Sequence, residues 1–314
     1  MTMRERTEIE HNEQPLISCV QDWLVEHYGP ISSFEQVPSP HEHRAYYPVA
    51  FVETKDSNKI VAKWSERALR LEKEYNVSKL LISHDIPTTV PIDFDATVPI
   101  LTMEQLDGKP LSESDIDSSV AQEIGHLLRQ IYTIPETEAI ATGTTTSEGI
   151  DFADEMKILF TQRLDFASSR LPREYTPDQI HKVFDVLQKQ NQWQGRRALI
   201  RRDMHAENWY RLNDGRLAAI DHGSVAIGDI AYDLACMADV LNDEPGLIAG
   251  FREGYGGDMF DEATAPPTRA LTGLVRGLEM LGWVKSRGVP QPDFEAEGIA
   301  LIQKAIQQAN IQEE

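Results

Sequence analysis

The segment RRALIRRDMHAENWYRLNDGRLAAIDHG, residues 196–223, constrains the fold of this 314-residue chain more than any other stretch. Its centre, Asn213-Asp214-Gly215, is a hairpin turn signal between two apolar runs, because such turns need positive φ, which Asn and Gly tolerate. The sequence on both sides is helical in texture. Val120, Ile124, Leu127, Leu128 and Ile131 form one apolar face, with Ser119 and Gln122 in capping-box spacing at its start. Further helices are expected near Phe152–Ser169, Pro177–Gln190, Ile230–Leu241, Thr268–Ser286 and Phe294–Gln308. The latter part of the chain is therefore a helical unit that carries one polar β-hairpin.

The first hundred residues read differently. Leu16, Val20, Trp23 and Leu24 predict a helix from Pro15 to His27. YYPVAFVET and KIVAKWS read as strands joined by the turn KDSN. A helix follows, with Leu69, Leu71, Tyr75, Leu80 and Leu81 on its apolar face, and TTVPIDFDATVPILTMEQL supplies two more strands. LDGKPL reads as a linker. The expected class is α+β: a small β-rich lobe over residues 1–106, with a leading helix, and a larger, mainly helical lobe over 107–314. A cleft between two such lobes is the default place for a site.

Composition narrows the partners. Lys and Arg number 30 against 51 Asp and Glu, a net charge of −21, which repels phosphate backbones and anionic membranes. Neither nucleic acid nor membrane is expected as a partner. The acidity reads either as attraction for a cationic substrate or as a solvated surface, including one adapted to a salty cytoplasm. Cys19 and Cys236 stand far apart and outside any C-x-x-C pair, so neither a disulfide framework nor a cysteine zinc site is expected. MTMRERTEIEHNEQ lacks the apolar run of a signal peptide and no stretch reaches the length of a membrane span, so the expected location is the cytoplasm.

Asp203 and Asn208 precede the hairpin and Asp221 follows its second strand. Singly, each reads as a cap or turn former. Together they can converge, because a hairpin brings its two outer ends side by side. Two carboxylates and an amide oxygen are hard ligands suited to Mg²⁺. In phosphoryl transfer one Asp and an Asn hold metal, and another Asp takes the proton of the attacking hydroxyl. Asp229 can cap a helix opening at Ile230, and Asp233 lies one turn further along, so both read as structural supports.

RRDMHAENW, AAIDHG and GDIAYDLA resemble the ordered signature H-G-D-x-H-x-x-N, hairpin, I-D-W or I-D-F, and G-D-x-x-x-D-L-A of the aminoglycoside phosphotransferase and choline kinase group, which has the protein-kinase-like fold. The resemblance covers roughly residues 35–257 and is motif-level in the second half. It implies that Asp203 is the catalytic base, that Asn208 and Asp221 are metal ligands, and that His205 supports them. It further implies that Lys63 of KIVAKW contacts nucleotide phosphates. Glu74 is the better match for the glutamate that orients it, and Glu72 the poorer. Adenine would pair with backbone near Glu104 and Leu106. The implied cofactors are Mg²⁺ and ATP, or GTP.

The chain departs from the pattern at several positions. Arg201 and Arg202 replace His and Gly before Asp203, where an Arg would lower the base's pKa, clamp an anion, or pair with an acid at a buried strand end. No glycine occurs between Gly29 and Gly108, so Ser39, His41, His43 and Arg44 would cover the phosphates. Tyr132, expected in the core, His222 and Trp209 also replace commoner residues.

The expected function is transfer of the γ-phosphate of ATP to a hydroxyl of a small molecule, by a monomer or homodimer. An aminoglycoside-type or other antibiotic leads among acceptors, because an acidic pocket suits a polycation. A metabolic acceptor (an amino alcohol such as choline or ethanolamine, a sugar, a nucleoside-like compound) is the alternative. A non-catalytic nucleotide-binding pseudokinase is the rival from another class. A protein substrate is disfavoured, since no A-P-E segment follows Asp221. Acceptor contacts are expected around residues 251–255 and 151–155.

Overall fold

The computed structural model describes residues 13–37, 48–65, 68–144, 151–287 and 291–311. The expected phosphate-covering positions Ser39, His41, His43 and Arg44 lie outside them. A helix, α1 (Glu13–Tyr28), precedes β1 (Ile31–Gln36), β2 (Val49–Thr54) and β3 (Lys59–Trp64), and α2 (Ala68–Ser83) is followed by β4 (Pro91–Asp95) and β5 (Ile100–Glu104). The five strands form one antiparallel sheet in the order β1-β2-β3-β5-β4.

Strand alternation divides the two faces of this sheet. Ile60, Ala62 and Trp64 point to one face and pack with Val20, Trp23 and Leu24 of α1. Val61 and Lys63 point to the other, where Leu71 of α2 packs with Leu101 and Met103. On α2, Leu71, Glu74, Val77, Ser78 and Leu81 recur at helical spacing and are buried. Leu69, expected on this apolar face, is instead 81% exposed.

The chain then enters the helical lobe through β6 (Gly108–Pro110), which pairs with β8 (Trp209–Leu212). The helices are α3 (Ser118–Ile131), α4 (Glu136–Ala141), α5 (Phe152–Ala167), α6 (Pro177–Gln190), α7 (Ile230–Val240), α8 (Pro245–Tyr255), α9 (Gly257–Ala263), α10 (Pro266–Arg287) and α11 (Pro292–Ile311). The expected capping box is displaced: Asp117, not Ser119, caps α3 by accepting from Val120 N. Between α6 and α7 lie β7 (Arg197–Ile200), β8, β9 (Leu217–Ala219) and β10 (Ala226–Asp229). The turn of the β8–β9 hairpin closes at Gly215, whose φ of +90° is open to glycine. β10 returns to pair with β7, a strand pairing not anticipated from the sequence. The architecture is a small antiparallel-sheet lobe joined to a larger helical lobe. No helix among the described residues is long and apolar enough to cross a membrane.

Candidate active site

Lys63 reaches the α2 face of the sheet by strand parity, and Glu74 faces it by helical spacing. The Lys63 ammonium lies 2.7 Å from Glu74 Oε2 and 2.9 Å from Asp221 Oδ1, so one cation ties the sheet, α2 and the hairpin together. Burial opposes the charge on Lys63, but attraction to Asp221 and Glu74 outweighs it and raises its pKa. Burial raises Asp221 too, yet Lys63, helped by Arg70, holds that carboxyl down to about 2. Glu74 is raised by burial, which Lys63 offsets in part. Glu72, the poorer candidate, is exposed to solvent.

The hairpin sets Asp203, Asn208 and Asp221 near one another. Ile220 N donates to Asn208 O at 3.0 Å, which sets Asn208 beside the residue that precedes Asp221. Asn208 Nδ2 donates to Asp203 O at 3.4 Å, and Asp203 Oδ1 is buried without a hydrogen-bond partner among the described residues. His205 Nε2 stands 3.8 Å from that oxygen. Asp203, His205 and Asp221 line one cavity of about 920 Å³. Asp221 itself adopts φ +58°, in the left-handed region.

Asp229 and Asp233 act on backbone. Asp229 caps α7 through Ala231 N at 2.8 Å and also accepts from Trp193 Nε1 and Arg196 N. Asp233 accepts from Arg201 N at 2.6 Å, Arg202 N at 2.8 Å and the Tyr132 hydroxyl at 2.9 Å. It thereby fixes the chain just before Asp203. Burial raises both carboxyls and these donors oppose the shift.

The replaced positions meet in one buried cluster. The Arg201 guanidinium, 2% exposed as a residue, lies 4.6 Å from the Trp209 ring and donates to Ile220 O at 2.9 Å and Asn208 O at 3.4 Å. Among the described residues it pairs with no carboxylate side chain, and it does not line the cavity. It straps the two hairpin ends that carry Asn208 and Asp221. His222 Nδ1 is 3.5 Å from Arg201 Nη1 and its Nε2 bonds Thr88 Oγ1 at 2.6 Å. Burial and then Arg201 hold His222 down to about 3, so the ring is neutral. Tyr132 is core, as expected, and joins through Asp233.

Of the expected adenine contacts, Glu104 N already donates to Val90 O at 2.8 Å, whereas Leu106 makes no backbone hydrogen bond among the described residues. The expected acceptor segments are structural instead. Phe251 and Tyr255 are buried against α3, Asp151 caps α5, and Glu155 accepts from Asp229 N. The cavity beyond Asp203 is walled by Arg70 and Lys73 of α2, Arg202, and Arg276, Glu279 and Trp283 of α10. Helical periodicity placed α10 but not its neighbours, so these residues carried no sequence signal.

Comparison with known proteins bears on the family and the fold. The family model described as "Phosphotransferase enzyme family" matches residues 37–269. No curated protein matches the sequence. Among solved structures, the choline kinase LicA from Streptococcus pneumoniae superposes with a TM-score of 0.70 at 16% identity, over 94% of this chain and 99% of that one. The macrolide 2'-phosphotransferase MphH from Brachybacterium faecium gives 0.65 at 17%, over 90% and 97%. Wild-type aminoglycoside 2'-phosphotransferase-IIIa, solved with GDP, gives 0.67 at 16%, over 93% and 98%. The chain has the two-lobed protein-kinase-like fold, and by its match across most of its length it belongs to the phosphotransferase enzyme family.

Proposed function

We propose that this enzyme transfers the γ-phosphate of ATP, or of GTP, to a hydroxyl group of a compact small molecule. The observation that carries the reading is the Lys63 bridge to Glu74 and Asp221 beside the unpartnered Asp203 Oδ1. In this reading Lys63 holds nucleotide phosphates and Glu74 steadies it. The hydroxyl proton passes to Asp203 as the acceptor oxygen bonds to phosphorus, and the bond to the bridging oxygen breaks to release ADP. Asn208 and Asp221 offer amide and carboxylate oxygens, a donor set that fits Mg²⁺. The metal when bound neutralises charge on the phosphate oxygens. Leu106 offers its backbone to the base, with GDP and AMP complexes of structural relatives as precedent for nucleotide binding.

Two acceptor classes were open from the sequence. The case for an aminoglycoside-type polycation rested on overall acidity, but the cavity lining does not share it. Arg70, Lys73, Arg202 and Arg276 face Glu72, Asp203, Asp221 and Glu279, four charges of each sign. This favours a compact metabolic alcohol. The lobed fold and unbroken helical core are compatible with either a monomer or a homodimer in the cytoplasm.

The test is ADP release with purified enzyme across hydroxylated metabolites and antibiotics. Asp203→Asn should lower kcat by about 10²–10⁴-fold while MgADP affinity is kept. Equal turnover by Asp203→Asn and wild type would remove Asp203 as base. Absence of MgADP binding to the wild type would remove the kinase reading itself.

A further inference from the structure

A separate cavity of about 440 Å³ shares no lining residue with the one that holds Asp203. Tyr132 lines it and bonds Asp233 through its hydroxyl at 2.9 Å, so this cavity backs onto the support of Arg201 and Arg202. We propose that it binds a phosphate group, as inorganic phosphate or as the phosphate of a monoester, between Arg129, Arg196 and the Tyr255 hydroxyl. The inference goes beyond the kinase reading and does not depend on it.

Three distant stretches of chain supply the donors. Arg129 stands in the last turn of α3, Arg196 just before β7, and Tyr255 and Met259 flank the junction of α8 and α9. Tyr255 is only 5% exposed, yet its hydroxyl donates to Met259 Sδ, at 3.4 Å. Arg196 Nη1 donates to the same sulfur at 3.0 Å. A thioether is a weak acceptor, so two strong donors converge where the protein offers them little. The Met259 side chain is flexible and can swing aside for a better acceptor. Burial, then Asp233 and Asp229, raise the Tyr255 hydroxyl while Arg196 and Arg129 oppose them, so it keeps its proton and can donate.

The charges on the lining are uneven. Acids outnumber bases by 51 to 30 in this chain, yet the Arg129 guanidinium makes no hydrogen bond or ion pair among the described residues. Arg196 has no carboxylate on its guanidinium either. Asp258 is the one acid on the lining, is exposed, and pairs with neither arginine. Asp229 and Asp233 nearby spend their oxygens on other donors: Trp193 Nε1, Arg196 N and Ala231 N for the first, Arg201 N, Arg202 N and Tyr132 for the second. Two guanidiniums and a phenol approaching from different elements suit a tetrahedral oxyanion, whose oxygens also point in different directions, and charge-assisted hydrogen bonds to Arg are the strong kind.

Calorimetry on the nucleotide-free wild-type enzyme at fixed ionic strength tests the proposal, with inorganic phosphate, glycerol 3-phosphate and chloride as probes. One or both phosphates should bind and chloride should not, and the tighter of the two tells free phosphate from ester. Arg129→Gln and Arg196→Gln should each weaken binding about tenfold and together about a hundredfold, and Tyr255→Phe should weaken it by about three- to tenfold. The exposed arginines leave the fold little to lose, and the single variants carry the same reading should the double variant unfold. Asp203→Asn should bind phosphate as the wild type does. Affinity unchanged by the arginine variants overturns the proposal, since the phosphate then sits elsewhere, as in the active-site cavity. No binding of either phosphate, or chloride bound as tightly, overturns it as well.

Discussion

Arg202 holds φ at +65°, a conformation that costs a residue with a Cβ about 1–2 kcal/mol, at the position where relatives of this motif keep glycine. The backbone turn has thus been retained while the side chain took on other contacts. The guanidinium lies 5.4 Å from the Tyr232 ring and on Glu279. Arg202→Ala and Arg202→Gly lose these contacts equally and differ in backbone freedom. The glycine variant should be the more stable by about 1 kcal/mol in urea unfolding, since relief of the left-handed strain exceeds its unfolded-state entropy. Equal midpoints would show that the turn is unstrained. Arg201 beside it behaves differently, because its buried guanidinium serves carbonyls. From sequence the adjacent pair looked like one feature, but only one of the two side chains reaches the cavity. Which way each points follows from the turn at Arg202, a dihedral that no spacing of residue types reveals.

Among elements, the crossing of α3 and α8 is set by glycines. A Cβ on Gly254 would stand 1.9 Å from Gln122 O, and one on Gly250 would stand 2.1 Å from Ser118 O. Both obstacles are backbone and cannot swing aside. Gly254→Ala should therefore destabilise by about 1–3 kcal/mol despite alanine's better helix propensity. Gly246→Ala, in the same helix, meets nothing within 4 Å and should be neutral or stabilising by up to about 1 kcal/mol. Thermal or chemical denaturation of the pair checks the contrast. This contact lies far from chemistry, yet α3 carries Tyr132, which bonds Asp233 and so supports the chain before Asp203. α8 and α9 were not anticipated from the sequence. Gly246, Gly250, Gly254, Gly256 and Gly257 interrupt the apolar periodicity that marks a helix, and the same small residues are what allow close approach.

At the scale of the molecule, Val77, Leu80, Leu81 and Ile86 of the small lobe pack into the core of the helical lobe, and polar bonds around the hairpin add to that contact. Lys63 bonds Asp221, Thr88 bonds His222, and Arg70 and Lys73 bond Ser224 and Val225. Lys63→Met leaves Glu74 buried without its cation, costing about 3–5 kcal/mol less what protonation of Glu74 recovers. The wild-type Tm should rise with MgADP, and the variant should start lower and respond little. An undiminished ligand response would separate Lys63 from the nucleotide. The grouping of Asp203, Asn208 and Asp221 was legible in the sequence because they sit at the ends of one hairpin, where local turn chemistry fixes their distance. Lys63 and Glu74 were reached through the family resemblance, by their order on a strand and then a helix. The charged wall on the far side of the cavity was not. Arg70, Lys73 and Glu279 stood out in no pattern, since a charge on a helix says nothing about what packs opposite. Tyr132, Arg201, Trp209 and His222 likewise looked like separate replacements until folding joined them. The sequence by itself determined the two textures, the hairpin and the order of the motif, because period, turn and cap are local. Only the tertiary structure decided which distant charges share a cavity, because that depends on how close the helices pack.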